Sequence, residues 1–257
     1  MLLLVDVGNT NVVVGVCEGD RVVARCRVAT ERTRMPDEWW VVFNALAHAD
    51  DLDLRAADGA ILSSVVPSLT DWIATMLRER ASVDVLVVDA SIDLGIAVRT
   101  DNPAEVGADR LVNAVAAYAE FGGPTLVIDF GTATTFDVLS ADGAYIGGAI
   151  APGIRVAHDA LISRAAKLSS VELVMPTRAI GTNTVASMQS GIMLGYAGLI
   201  DGLIARIEAE LGQQTTVIST GGLGETFLHA CPRISQYAPD LTLDGLRLIW
   251  ERNRGAK

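Results

Sequence analysis

The chain has 257 residues, half of them apolar, with 31 acidic side chains against 20 basic ones and a formal net charge of -11. That length allows one large domain or two lobes with separate cores, and the apolar share argues for a packed globule over disorder. An acidic chain with no basic stripe excludes nucleic acid as an expected partner, no uninterrupted apolar run reaches the ~18 residues of a membrane helix, and the three cysteines lack paired ligand spacing, which fits free thiols in a reducing, cytoplasmic compartment.

Apolar Leu2–Val5 reads as a buried strand that ends in Asp6-Val7-Gly8-Asn9-Thr10-Asn11. Val12–Val16 and Arg21–Val28 read as the next two strands, joined by the turn Glu18-Gly19-Asp20 as in a hairpin. Pro36–Ala49 has helical spacing, with Trp39, Val42, Phe43 and Leu46 on one side. Asp37 and Glu38 fall in its first turn, where they suit the helix dipole. Of the pair Trp39-Trp40, one ring is expected inward and one outward. Ala60–Leu62 is a short strand that leads through Ser63-Ser64-Val65-Val66-Pro67 into a helix carrying Leu69, Trp72, Ile73, Met76 and Leu77. Val83–Val88 is another strand, and Leu111–Phe121 another helix.

Gly122-Gly123-Pro124 breaks the chain, and the plan then restarts. Strand Leu126–Ile128 runs into Asp129-Phe130-Gly131-Thr132-Ala133-Thr134, followed by strands Thr135–Leu139 and Ala144–Ile150. A long helix covers about Val185 to Leu211, with Met188, Ile192, Leu199, Leu203 and Ile207 as expected core contacts. Strand Val217–Ser219 ends in Thr220-Gly221-Gly222-Leu223-Gly224, and Leu243–Glu251 is the final helix. This alternation predicts an α/β fold with parallel pairing and two lobes, 1–121 and 122–257, the last helix being free to cross to the first.

The two Asp-x-Gly segments look like copies of one device. Glycine lets backbone N–H groups approach phosphate oxygens, hydroxyls add hydrogen bonds, and the carboxylate serves a metal ion. Each segment alone is also an ordinary strand-to-turn junction; the duplication is what points to a nucleotide. Facing sheets would put Asp6 and Asp129 on opposite sides of one cleft, beyond the carboxyl ends of the strands. In Gly107-Ala108-Asp109-Arg110, Asp109 is either a helix cap or first-turn acid, or a general base for an alcohol attacking phosphorus. Arg110 suits a carboxylate. In Gly181-Thr182-Asn183-Thr184, Thr182 or Thr184 either caps the long helix or lines a polar pocket. His48, His158 and His229 have no ligand spacing.

These motifs, with Ser63-Val66-Pro67 and Asp101-Asn102-Pro103, resemble type III pantothenate kinase in their order and over nearly the whole chain. The resemblance implies the two-lobed, ribonuclease H-like fold of acetate and sugar kinases, heat-shock proteins and actin. It implies ATP-dependent phosphorylation of the 4'-hydroxyl of pantothenate, the first step toward coenzyme A. By that match Asp6, Val7, Gly8, Asn9, Thr10, Asn11, Val12 and Val13 hold ATP, with Asp6 near Mg²⁺ and Thr132 on a phosphate. Gly107, Ala108, Asp109 and Arg110 border pantothenate, Asp109 being the proton acceptor. Asp129 takes a monovalent cation, potassium or ammonium. Thr184 contacts pantothenate in a pocket completed across a homodimer interface. One position departs: Thr100 stands where the family often carries an aromatic that touches pantothenate. Two rivals remain, a kinase of the same fold acting on a sugar or short acid, and a nucleotide-responsive binding protein in gene regulation.

Overall fold

The structure, a computed structural model, describes residues 1–254. The chain divides into two compact units, one of Met1–Glu120 with the C-terminal segment from Asp240, the other of Phe121–Pro239. The first is built on β1 (Leu2–Val7), β2 (Asn11–Glu18), β3 (Arg21–Ala29), β4 (Gly59–Ser64) and β5 (Val85–Val87), with α1 (Pro36–Ala49), α2 (Pro67–Met76) and α3 (Ala108–Phe121). The second holds β6 (Thr125–Phe130), β7 (Ala133–Leu139), β8 (Tyr145–Pro152), α4 (Ile154–Arg164), α5 (Thr184–Gln189), α6 (Gly195–Leu211), β9 (Thr216–Gly221), α7 (Gly224–Ala230) and β10 (Gln236–Tyr237). The last helix, α8 (Leu241–Arg254), belongs to the first unit.

The two sheets share one topology. Their orders are β3-β2-β1-β4-β5 and β8-β7-β6-β9-β10. In each, a three-strand antiparallel meander lies beside strands that pair in parallel. The sheets are therefore mixed, and the expected parallel pairing covers one side of each. β3 is an edge strand with clean alternation: Val22, Ala24, Cys26 and Val28 are half-buried, while Arg21, Arg25 and Arg27 face out. Charged edges of this kind resist pairing with other chains.

Helix α1 starts as its sequence dictates. Pro36 occupies its first turn, and the Glu38 carboxylate accepts the Met35 N–H at 2.7 Å. Trp39, Phe43 and Ala47 form its buried stripe, with Trp39 and Phe43 edge to face. Trp39 is fully buried under the Arg34 guanidinium. Trp40 is half-buried against the same core, so the outward ring is only partly outward.

The long helix runs from Thr184 to Leu211, but a π turn at Ser190–Leu194 interrupts it. Such a turn inserts one residue and rotates everything after it. The buried stripe is consequently Met188, Met193, Tyr196, Ala197, Ile200 and Ile204. The expected contacts Ile192, Leu199, Leu203 and Ile207 do pack against this core, but from beside the stripe and only partly buried. By composition this run is long and apolar enough to cross a bilayer, yet its stripe packs on the second sheet.

Each unit has its own core. Leu3, Val5 and Val7 pack with α1 and α2, whereas Leu4 and Ile61 pack on the opposite face with Ala108, Leu111 and Val112 of α3 and with Leu243, Leu246 and Ile249 of α8. Helix α8 crosses α3 at Gly245, where a methyl group would lie 2.1 Å from the Val112 carbonyl oxygen and 2.7 Å from its Cγ1. Gly245→Ala should therefore force the helices apart and cost about 1–3 kcal/mol, read as a lowered urea midpoint; an unchanged midpoint would show that the crossing is loose.

Candidate functional site

Asp6 is the fifth residue of β1, and Asp129 is the fifth of β6. Both sit where the chain leaves the carboxyl end of a strand with a parallel neighbour. The turns that follow are closed in the same way. Gly8 N–H donates to the Asn11 carbonyl at 2.9 Å, and Gly131 N–H donates to the Ala133 carbonyl at 3.0 Å. The neighbouring strands match as well: Val65 N–H donates to the Val7 carbonyl at 3.0 Å, and Gly222 N–H to the Phe130 carbonyl at 3.1 Å.

The first loop is braced from β3. Thr30 donates through its hydroxyl to the Gly8 carbonyl (2.7 Å) and through its N–H to the Thr10 carbonyl (2.9 Å). Arg32 donates to the Asn9 side chain at 2.9 Å. Asn9, Thr10 and Asn11 are exposed at the rim, while Val7 and Val12 are buried and Val13 half-buried. The loop thus offers a braced turn with an exposed rim, a form that suits a phosphate chain.

Asp109 lies in the first turn of α3. Its Oδ1 accepts the Arg110 N–H at 2.8 Å. A methyl group on Gly107 would meet that same Oδ1 at 2.6 Å and the Val65 side chain at 3.5 Å. Gly107 and Asp109 therefore gather at the end of β4, on the sheet face that also carries Asp6. Burial pushes the Asp109 carboxyl above the ordinary range, against the opposing pull of the Arg110 N–H and guanidinium. A carboxylate held in this way is a stronger base than a solvated one.

In the second unit, Asp129 lies against Gly221, where a methyl group would come within 2.5 Å of its Oδ1 and 2.7 Å of the Phe130 backbone. Gly221 has a φ of 81°, which an L side chain rarely adopts. Thr132 is exposed at the loop tip, and its carbonyl accepts the Gly153 N–H at 3.1 Å. Tyr196 of the long helix donates to the Thr134 hydroxyl and contacts the Pro152 carbonyl, at 2.6 and 2.8 Å, tying the loop to the core.

Thr184 begins α5 of the second unit. The cap of α5 is Asn183, whose side chain accepts the Ala186 N–H at 2.9 Å; neither Thr182 nor Thr184 does this. Both hydroxyls instead line an open cavity of about 690 Å³ with Leu161, Ser187 and Met188. No other candidate residue lines it. The segment leading there is pinned by His158, a buried side chain whose Nε2 accepts the Val171 N–H at 3.2 Å.

The family model for type III pantothenate kinase matches residues 2–206. The chain belongs to that family. A type III pantothenate kinase from Thermomicrobium roseum is 52% identical over 252 residues, covering 98% of this chain and 97% of the relative. One from Moorella thermoacetica is 49% identical over 253 residues, covering 98% and 100%. Solved structures share the fold at low identity. An inorganic polyphosphate/ATP-glucomannokinase from Arthrobacter superposes with a TM-score of 0.51 at 16% identity, with 98% of both chains covered. Component A of (R)-2-hydroxyglutaryl-CoA dehydratase from Acidaminococcus fermentans gives 0.59 at 14%, covering 100% and 99%. This chain therefore carries the two-lobed kinase fold that its duplicated loops suggest.

Sequence reasoning missed several residues that brace these loops and strands. Gly153 lets the end of β8 pass under the second loop, where a methyl group would lie 2.3 Å from the Thr132 carbonyl oxygen. Its only signal was a glycine after a strand. Thr30 and Arg32 lie in an unremarkable polar stretch, and nothing in the pattern marks them. Asp137, fully buried, accepts from the Tyr145 and Thr135 hydroxyls at 2.9 and 2.8 Å.

A raised folded-state pKa means that the unfolded chain ionises first as pH rises, so Asp109 subtracts stability above the ordinary carboxylate range. Asp109→Asn should accordingly melt higher than the parent at neutral pH, with the gap closing in acid. Equal melting curves at neutral pH would contradict the raised pKa.

Proposed function

We propose that the protein transfers the terminal phosphoryl group of ATP to the 4'-hydroxyl of pantothenate, giving 4'-phosphopantothenate and ADP at the entry to coenzyme A synthesis in the cytoplasm. The observation that carries the reading is the buried Asp109 carboxylate, raised in pKa and set on the same sheet face as the Asp6 loop. The 4'-hydroxyl oxygen attacks the terminal phosphorus while its proton passes to Asp109. The bond from that phosphorus to the bridging oxygen breaks, and ADP leaves with the electron pair. Phosphoryl transfer of this kind is mainly positioning and charge neutralisation.

Asp6, Val7, Gly8, Asn9, Thr10, Asn11, Val12 and Val13 hold the triphosphate, and Thr132 adds a hydroxyl to a phosphate. Gly107 and Ala108 give pantothenate close access to the backbone, and Arg110 pairs with its carboxylate. Mg²⁺ binds through one or two carboxylates plus phosphates and water, a set that Asp6 and the nucleotide supply. This suits a chain whose described residues gather no group of three or more His, Cys, Asp or Glu. Bound there, the ion neutralises phosphate charge. Potassium or ammonium suits the Asp129 carboxylate pressed against the Gly221 backbone. Thr184, which lines an open cavity, serves the pantothenate site of a second copy in a homodimer. Thr100 offers a buried, unpartnered hydroxyl in place of an aromatic ring.

A coupled assay with ATP, Mg²⁺, potassium and either pantothenate or a sugar panel tests this reading; transfer to a sugar with none to pantothenate would reject it. Asp109→Asn should lose roughly a hundredfold or more of turnover while ATP affinity stays nearly unchanged, and full activity would remove Asp109 from the mechanism. Exchanging potassium for sodium should lower turnover, whereas equal rates in both salts would count against Asp129 as the cation ligand.

A further inference from the structure

Two hydroxyls occupy matching places beside the two loop carboxylates. Ser63 is the fifth residue of β4 and is register-paired with Asp6; Thr220 is the fifth of β9 and is register-paired with Asp129. Paired residues on parallel strands project from the same face, with the strands about 4.8 Å apart. Ser63 is 0% exposed and Thr220 is 3% exposed. The Ser63 Oγ has no hydrogen-bond partner.

A buried hydroxyl left unpaired costs about 1–3 kcal/mol. For the fold alone, alanine at position 63 would serve better, since it leaves no buried polar group unpaired. The next residue shows what a structural serine does here: Ser64 Oγ accepts from the Thr70 hydroxyl at 2.7 Å and from the Val66 N–H at 3.3 Å. Ser63 has no such bond. Its hydroxyl is a donor, an ionised carboxylate only accepts, and a hydroxyl–carboxylate bond is about twice as strong as a neutral one. The same hydroxyl-beside-carboxylate pair recurs in the second sheet, so the arrangement belongs to the duplicated device.

We propose that Ser63 is a positioning residue for the nucleotide–metal site, its Oγ–H bonding to the Asp6 carboxylate and holding it in the orientation that takes Mg²⁺ with the triphosphate. The inference rests on the kinase reading above and deepens it. Ser63 touches neither nucleotide nor pantothenate. The bond forms as the site is occupied and then restricts the rotation of Asp6; the unpaired hydroxyl is the cost of keeping that bond in reserve.

Ser63→Ala separates this role from simple packing. Three quantities are measured: the melting temperature without ligands, the affinity for a non-hydrolysable ATP analogue by calorimetry with Mg²⁺ and with chelator, and pantothenate turnover against Mg²⁺ concentration. The expected variant melts at the parent temperature or above it. It loses about tenfold or more in Mg²⁺-dependent affinity, the scale of losing a group that orients a metal ligand, and keeps its metal-free affinity. Unchanged Mg²⁺ dependence overturns the proposal, and so does a clearly lower melting temperature, which would make the hydroxyl a structural bond. If the parent protein fails to phosphorylate pantothenate while the variant still loses Mg²⁺-dependent affinity, the kinase reading falls and the role of Ser63 stands.

Discussion

Parallel pairing at the first strand of each sheet is the constraint on which the rest of the molecule depends. It holds β4 beside β1 and β9 beside β6, so that four strand ends open in matching directions within their units. A carboxylate one residue before the end of a strand is then carried to the sheet edge, and a glycine turn closed by a single backbone bond folds the chain back beside it. Neither feature would function alone. Without the turn the carboxylate would face a loose loop; without the strand pairing the turn would have no fixed place.

In each unit, the strand ends that carry the candidate residues are also where the fold gives up stability. Asp109 is largely enclosed, and burial raises its carboxyl above the ordinary range, because a buried charge without full compensation is unfavourable. Ser63 keeps a hydroxyl unpaired. Gly107, Gly153 and Gly221 forgo side chains where backbone or carboxylate comes close. The cores around them compensate, with fully buried aliphatic runs in β1, β4 and β6. Structural cysteines follow the opposite logic: Cys231 is buried, and its thiol is pushed up to about 12 by desolvation and the charge of Asp201, which leaves it inert.

Much of this was legible in the sequence because period and punctuation agreed. Helix α1 begins and ends where its proline, acids and apolar spacing place it, and the two Asp-x-Gly turns fall at strand ends as their composition requires. What was illegible depended on contacts across the fold. The one-residue rotation at Ser190–Leu194 has no local marker, so Ile192, Leu199, Leu203 and Ile207 pack against the core from the side of the stripe rather than forming its fully buried centre. The short strand β5 covers Val85–Val87 of a longer apolar run, while its flanks still bond to β4, Val88 N–H to the Leu62 carbonyl and Ala60 N–H to the Asp84 carbonyl, each at 2.9 Å. Asn183 outcompeted two neighbouring threonines as the cap, a choice that rests on backbone angles no motif records. Ser63 passed as part of a motif, and only its register partner and its burial reveal what it faces.

The return of α8 to the first unit has a consequence for how the chain is made. The ribosome releases the strands of that unit first, yet the face formed by Leu4, Ile61 and Leu111 has to wait for Leu243, Leu246 and Ile249 from the final helix. The second unit, continuous from Phe121 to Pro239, has all its segments available earlier. Domains generally fold as units during synthesis, so the second unit has its whole core before α8 is made, and the half bearing Asp6 and Asp109 completes its core only after the second unit has been synthesised.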